Sequence, residues 1–148
     1  MSSVKGLDKL LKNLDKLPEE VRKDIKDITY ANALEIKRNA SKLAPINKKK
    51  NGGTLRQSGK VFNSSKDRKE ISYRIAFLAK YAAYMEFGTG GLVSVPAELK
   101  DLALKFKGKG IRKVNLMPQP FLYPSLVKQR PRYLKDLKEL LESKLSEI

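Results

Sequence analysis

The chain has 148 residues, 41% of them apolar, and its 32 Lys+Arg against 16 Asp+Glu give a formal charge of +16. That composition excludes a wholly disordered chain, and the length suits one domain over 1–148 with a single core. There is neither Cys nor His, which removes disulfides, thiolate metal sites, Ser-His triads and the HExxH zinc helix.

The charge is uneven: residues 1–45 carry +3, residues 46–80 carry +8 and residues 81–148 carry +5. A cationic middle third suits a phosphate backbone or an acidic protein face, and equally a surface kept charged for solubility. No apolar run approaches the roughly 18–20 residues of a membrane span. The opening MSSVKGLDKLLKNLDK has charges interrupting each apolar cluster, so it is not expected to be a signal peptide. A soluble protein that meets no membrane is expected.

In chain order, Val4, Leu7, Leu11 and Leu14 recur at helical steps and predict an N-terminal helix over 1–17. Pro18 ends it or opens the next, and Glu19 and Glu20 suit a first turn. Val21, Ile25, Ile28, Ile36, Ala40 and Leu43 then form a second stripe with Asn32 in its gap. The helix is expected to run from Pro18 to Leu43 and stop before Pro45. Residues 45–54, PINKKKNGGT, read as a basic loop; the stretch lacks the spacing and terminal Lys of a phosphate-binding loop.

Lys60–Phe62 and Ile71–Phe77 read as strands joined by the polar turn NSSKDRKE. In the second, Ile71, Tyr73, Ile75 and Phe77 alternate, so an antiparallel hairpin with one buried face is expected. YAAYMEFGTGG (81–91) follows, and its alanines and Gly88 favour a short helix with a glycine stop. Glu86 is the one acid between Glu70 and Glu98. A general base needs a partner acid, a metal cluster or a substrate pocket, and no second carboxylate lies nearby. An unpaired buried carboxylate is very costly. Glu86 is therefore expected to pair with Arg56 or with loop backbone N–H groups, holding the Gly-Thr turn. Residues 96–106 carry a helical pattern, Ile111–Met117 reads as a further strand, and a last amphipathic helix is expected from Leu126, with Pro131 as a kink or restart.

The order of these landmarks resembles a known family. Ala44-Pro45, Leu55-Arg56, Ser58, Tyr81, Glu86-Phe87-Gly88-Thr89 and Pro118-Gln119-Pro120-Phe121-Leu122-Tyr123-Pro124 follow one another. Their pattern is similar to that of the tail-component, head–tail junction proteins of long-tailed bacteriophages, often found in prophages. The likeness covers roughly residues 20–145. Two departures stand out: INKKKNGG replaces the usual Val-Asp-Thr-Gly turn, and Ser125 stands where Ala is usual. The segment 92–117 looks like an insertion, and 118–148 a Pro-rich arm and terminal helix.

The resemblance implies a virion assembly protein at the neck or tail, assembled in the host cytoplasm, without cofactor or catalytic residues. It would contact copies of itself and neighbouring neck or tail proteins. Arg56, Tyr81, Glu86, Phe87, Gly88, Thr89, Pro120, Phe121, Leu122 and Pro124 would be structural or interface residues. Phe121 and Leu122 could equally fill the protein's own core or be presented by a rigid arm. The alternative is a nucleic-acid-binding module with nonspecific DNA or RNA affinity through residues 46–80, touching phosphates with Lys48, Lys49, Lys50, Arg56 and Lys60. The expected fold is α+β, with N-terminal helices and a C-terminal helix on an antiparallel sheet of about three or four strands.

Overall fold

The computed structural model describes residues 18–46, 52–89, 93–104 and 116–146. The N-terminal helix expected over 1–17 and the lysines Lys48, Lys49 and Lys50 lie outside them. Helix α1 spans Glu19–Leu43. Proline brackets it at both ends: Pro18 supplies the carbonyl for the Arg22 N–H, and the chain leaves helical geometry at Ala44, before Pro45. Ile25, Ile36 and Ala40 of the expected stripe are buried, whereas Leu43 is 56% exposed. At the end of the helix the chain turns Ala44 inward in its place, fully buried.

A single helical turn, α2 (Thr54–Gln57), starts after Gly53 at φ 96° and buries Leu55. Strands β1 (Gly59–Asn63) and β2 (Tyr73–Phe77) pair antiparallel from Gly59↔Phe77 to Asn63↔Tyr73. Their turn is tied by its own polar groups: the Ser64 N–H donates to the Ser72 carbonyl (2.8 Å), and the two hydroxyls meet at 2.8 Å. Helix α3 (Ala82–Phe87) ends at Gly88. A 3-10 turn (Ala97–Leu99) leads into α4 (Lys100–Leu104), and α5 runs Leu122–Ser146.

The class is α+β, but among the described residues the sheet has two strands, not three or four. Of the strand expected over 111–117, only Leu116 and Met117 are described, and they are not in a strand. Pro118 and Pro120 remove ladder donors there, and Leu116 bonds to Thr89 instead. Helix α5 starts four residues earlier than Leu126 and continues through Pro131.

Helices α1 and α5 run antiparallel: Ile25 packs with Leu137, and Lys144 near the end of α5 reaches Glu20 (3.3 Å) and Asp24 (3.5 Å) near the start of α1. The hairpin lays its inner face on α1, with Tyr73 against Tyr30 at 5.3 Å between ring centroids. Burial and the neighbouring Asp27 and Tyr30 hold the Tyr73 hydroxyl above its ordinary pKa.

Two apolar clusters result. One gathers Ala40, Ala44, Leu55, Ala82 and Phe121; the other gathers Ile25 and Leu137 with Val21, Ile28, Ile71 and Tyr133 around them. A polar seam crosses the α1–α5 contact between them. Buried Asn32 donates to the Ile28 carbonyl (3.0 Å) and Asp136 Oδ2 (3.1 Å), and accepts from Gln129 Nε2 (2.7 Å). Thr29 and Tyr133 meet beside it through their hydroxyls at 2.9 Å.

Candidate functional site

Glu86 occupies the last turn of α3 and is 8% exposed. Its Oε2 accepts the backbone N–H groups of Phe121 (2.8 Å) and Leu122 (3.0 Å), and its Oε1 that of Tyr123 (2.9 Å). These are the first donors of α5, which a helix cannot satisfy internally. Pro124 comes next and has no N–H to satisfy. Phe121, at the position where Ser, Thr, Asp or Asn would cap, carries no acceptor. A carboxylate 35 residues away does that work, with its charge at the positive end of the helix dipole.

Backbone contacts extend this clasp on either side. The Gln119 N–H donates to the Met85 carbonyl at 2.7 Å, and the Thr89 N–H to the Leu116 carbonyl at 3.0 Å. The Leu116 N–H returns to Thr89 Oγ1 at 2.9 Å. Gly88 lies between, at φ 76°, and a Cβ there would fall 2.7 Å from the Leu116 oxygen and 2.9 Å from Pro118 Cδ. Both the backbone conformation and the close approach require glycine. The EFGT and PQPFLYP stretches are thus two halves of one joint.

Arg56 is not the partner of Glu86. Its Nε donates to the Ala44 carbonyl (2.8 Å) and a terminal nitrogen to the Lys42 carbonyl (2.9 Å). Those carbonyls close α1, where a cation is favoured and acceptors lack helical partners. Ser41 Oγ returns a bond to the Arg56 carbonyl at 3.1 Å, and Ser58 Oγ donates to the Leu55 carbonyl at 2.7 Å. Ala44-Pro45 and Leu55-Arg56-x-Ser58 therefore form a second joint, closing the loop between α1 and α2. Two of the five guanidinium donors of Arg56 are thus held by the end of α1 rather than offered to a phosphate.

The remaining candidates divide by exposure. Phe121 is 1% exposed, edge-on to Phe77 at 4.9 Å, so it fills the protein's own core rather than projecting from an arm. Phe87 is buried, Thr89, Leu122 and Pro124 are half-buried, and Tyr81 and Pro120 are exposed. Ser125 is fully buried, and its hydroxyl is satisfied by donating back to the Phe121 carbonyl at 2.7 Å. Lys60 is exposed on β1. Sequence reasoning missed the Asn32–Gln129–Asp136 network; the one local sign of it was a polar residue interrupting the apolar stripe of α1.

The model of the family described as "Bacteriophage HK97-gp10, putative tail-component" matches residues 8–88. The chain belongs to that family. No curated protein and no solved structure matches it. The matched region of this tail-component chain contains the whole Arg56 joint and Glu86 to Gly88 of the clasp, and stops before Thr89 and the PQPFLYP half. The family is a class of phage tail components rather than of enzymes, which places its members with the structural proteins of the virion. Among the described residues, no helix is long and apolar enough to cross a membrane.

Proposed function

We propose that this protein is a minor tail or head–tail connector component that acts in tail completion and in joining the tail to the head. It works by protein–protein contacts, with copies of itself in an oligomer and with neighbouring neck or tail proteins. The observation that carries this reading is the family match over residues 8–88. The surface supports it. Tyr81 and Tyr84, about one helical turn apart, and Leu78 before them are 43%, 42% and 55% exposed, and aromatic residues of this kind anchor subunit contacts.

Deleting the gene from the phage or prophage that encodes it tests the reading. Heads and tails should accumulate unjoined, or tails should end abnormally, and supplying the gene in trans should restore joined particles. Normal yields of joined, infectious particles from the deletion strain would overturn it. The second reading, a nucleic-acid contact through residues 46–80, is favoured by Lys60 and Arg74 of the hairpin, which have no ion-pair partner among the described residues; it is compatible with the tail role.

A further inference from the structure

The pairing of β1 and β2 gives the hairpin two unlike faces. Gly59, Val61, Asn63, Tyr73, Ile75 and Phe77 share the face toward α1, and Lys60, Phe62, Arg74 and Ala76 share the opposite one. Phe62 and Arg74 are directly paired across the strands, and the Arg74 guanidinium carbon lies 5.1 Å from the centre of the Phe62 ring. Lys60 and Arg74 are both exposed. Neither strand contains an Asp or Glu, and among the described residues neither cation has a carboxylate within ion-pair distance.

We propose that this outer face of the hairpin, through Lys60 and the Phe62-supported Arg74, binds the phosphate backbone of double-stranded DNA without regard to sequence. The stack holds the guanidinium plane in place, so its outward N–H donors are pre-organised for the two-point grip that phosphate oxygens accept. Lys60 stands diagonally across the ladder from Arg74, about 7–8 Å away at the strand level, so two separate phosphates can be met. Arg74 lies over one face of half-buried Phe62, so the ring is a poorer platform for an unpaired base, which favours a duplex over a single strand. An acidic protein fits less well. The centre of a protein interface is depleted of charge and built on apolar anchors, and this face offers Lys, Arg and one Ala around a covered ring. Arg56 is left out of the proposed grip, since it lies outside the hairpin and two of its donors are held by the Ala44 and Lys42 carbonyls.

The inference does not rest on the tail role, and its readout is separate from particle assembly. Fluorescence anisotropy of the purified full chain with a labelled mixed-sequence duplex, from about 50 to 200 mM salt, measures affinity and its salt slope. The Lys60→Gln/Arg74→Gln variant should lower the slope by about two and weaken binding about tenfold or more. Lys135→Gln/Lys138→Gln removes the same charge from the exposed side of α5 and should weaken binding less than about twofold. Circular dichroism checks that both variants fold. Three results would overturn the proposal: no binding at the lowest salt, equal losses in the two variants, or polyglutamate bound as tightly as the duplex through Lys60 and Arg74.

Discussion

Glu86 joins two helices by itself, because one carboxylate serves three backbone donors of a helix it does not belong to. Its replacement tests the clasp in two grades. Glu86→Gln keeps one oxygen but turns an amide N–H₂ toward donors, and should cost about 1–3 kcal/mol. Glu86→Ala strips every acceptor and should cost more, roughly 2–4 kcal/mol, with the N-terminus of α5 fraying first. Urea unfolding with an amide-exchange readout at Phe121–Tyr123 measures both. An unchanged midpoint in the Gln variant would mean that the clasp carries no energetic weight. That Glu86 needed partners was legible from one acid among apolar residues. Who the partners were was not, because the donors are main-chain groups, which every residue but proline possesses.

At the scale of elements, the α1–α5 pair is held by two apolar patches with a hydrogen-bonded polar strip between them. The strip fixes which residues of the two helices face each other. Sliding either helix by a turn would leave Asn32 and Gln129 buried without partners, at about 1–3 kcal/mol each. Asn32→Leu is therefore expected to destabilise by about 1–3 kcal/mol although it adds apolar surface, since Gln129 is left buried with an unmet amide. Adding Gln129→Leu should recover part of that loss. A double-mutant cycle reads the coupling, and simple additivity would count against a shared network. The hydrophobic stripe of α1 was readable in its period, and so was the hairpin in its alternation. Helix α5 starts at Leu122 rather than at the expected Leu126, with Pro124 inside its first turn, where proline is welcome.

On the scale of the whole molecule, two joints close the structure: Arg56 on the end of α1, and Glu86 on the start of α5. Both turn their polar groups inward, and candidates for contact remain in exposed apolar residues, Leu78, Tyr81 and Tyr84 among them, and in the cationic hairpin face. If the proposed self-association uses the tyrosines, light scattering should give a mass above the 16.7 kDa of one chain. Tyr81→Lys/Tyr84→Lys should bring it down toward the monomer while leaving the circular dichroism spectrum unchanged. A wild-type monomer at every concentration tested would remove the oligomer from the reading.

The sequence by itself determined what short-range chemistry can write. Pro18 and Pro45 bound α1, alternation and a polar turn made the hairpin, and Gly88 stopped α3. The absence of His and Cys closed off their chemistry, and two short motifs in order pointed to a phage family. Each of these signals lies within a few residues of the structure it specifies. Only the tertiary structure decided that Arg56 caps α1 while Glu86 caps α5, that Phe121 is core, and that Asn32 belongs to a network. Those outcomes depend on which chain segments meet across separations such as 35 residues for Glu86 and Phe121 and 97 for Asn32 and Gln129. Burial then makes the pairing obligatory, since a polar group removed from water must find whatever partner the topology brings to it.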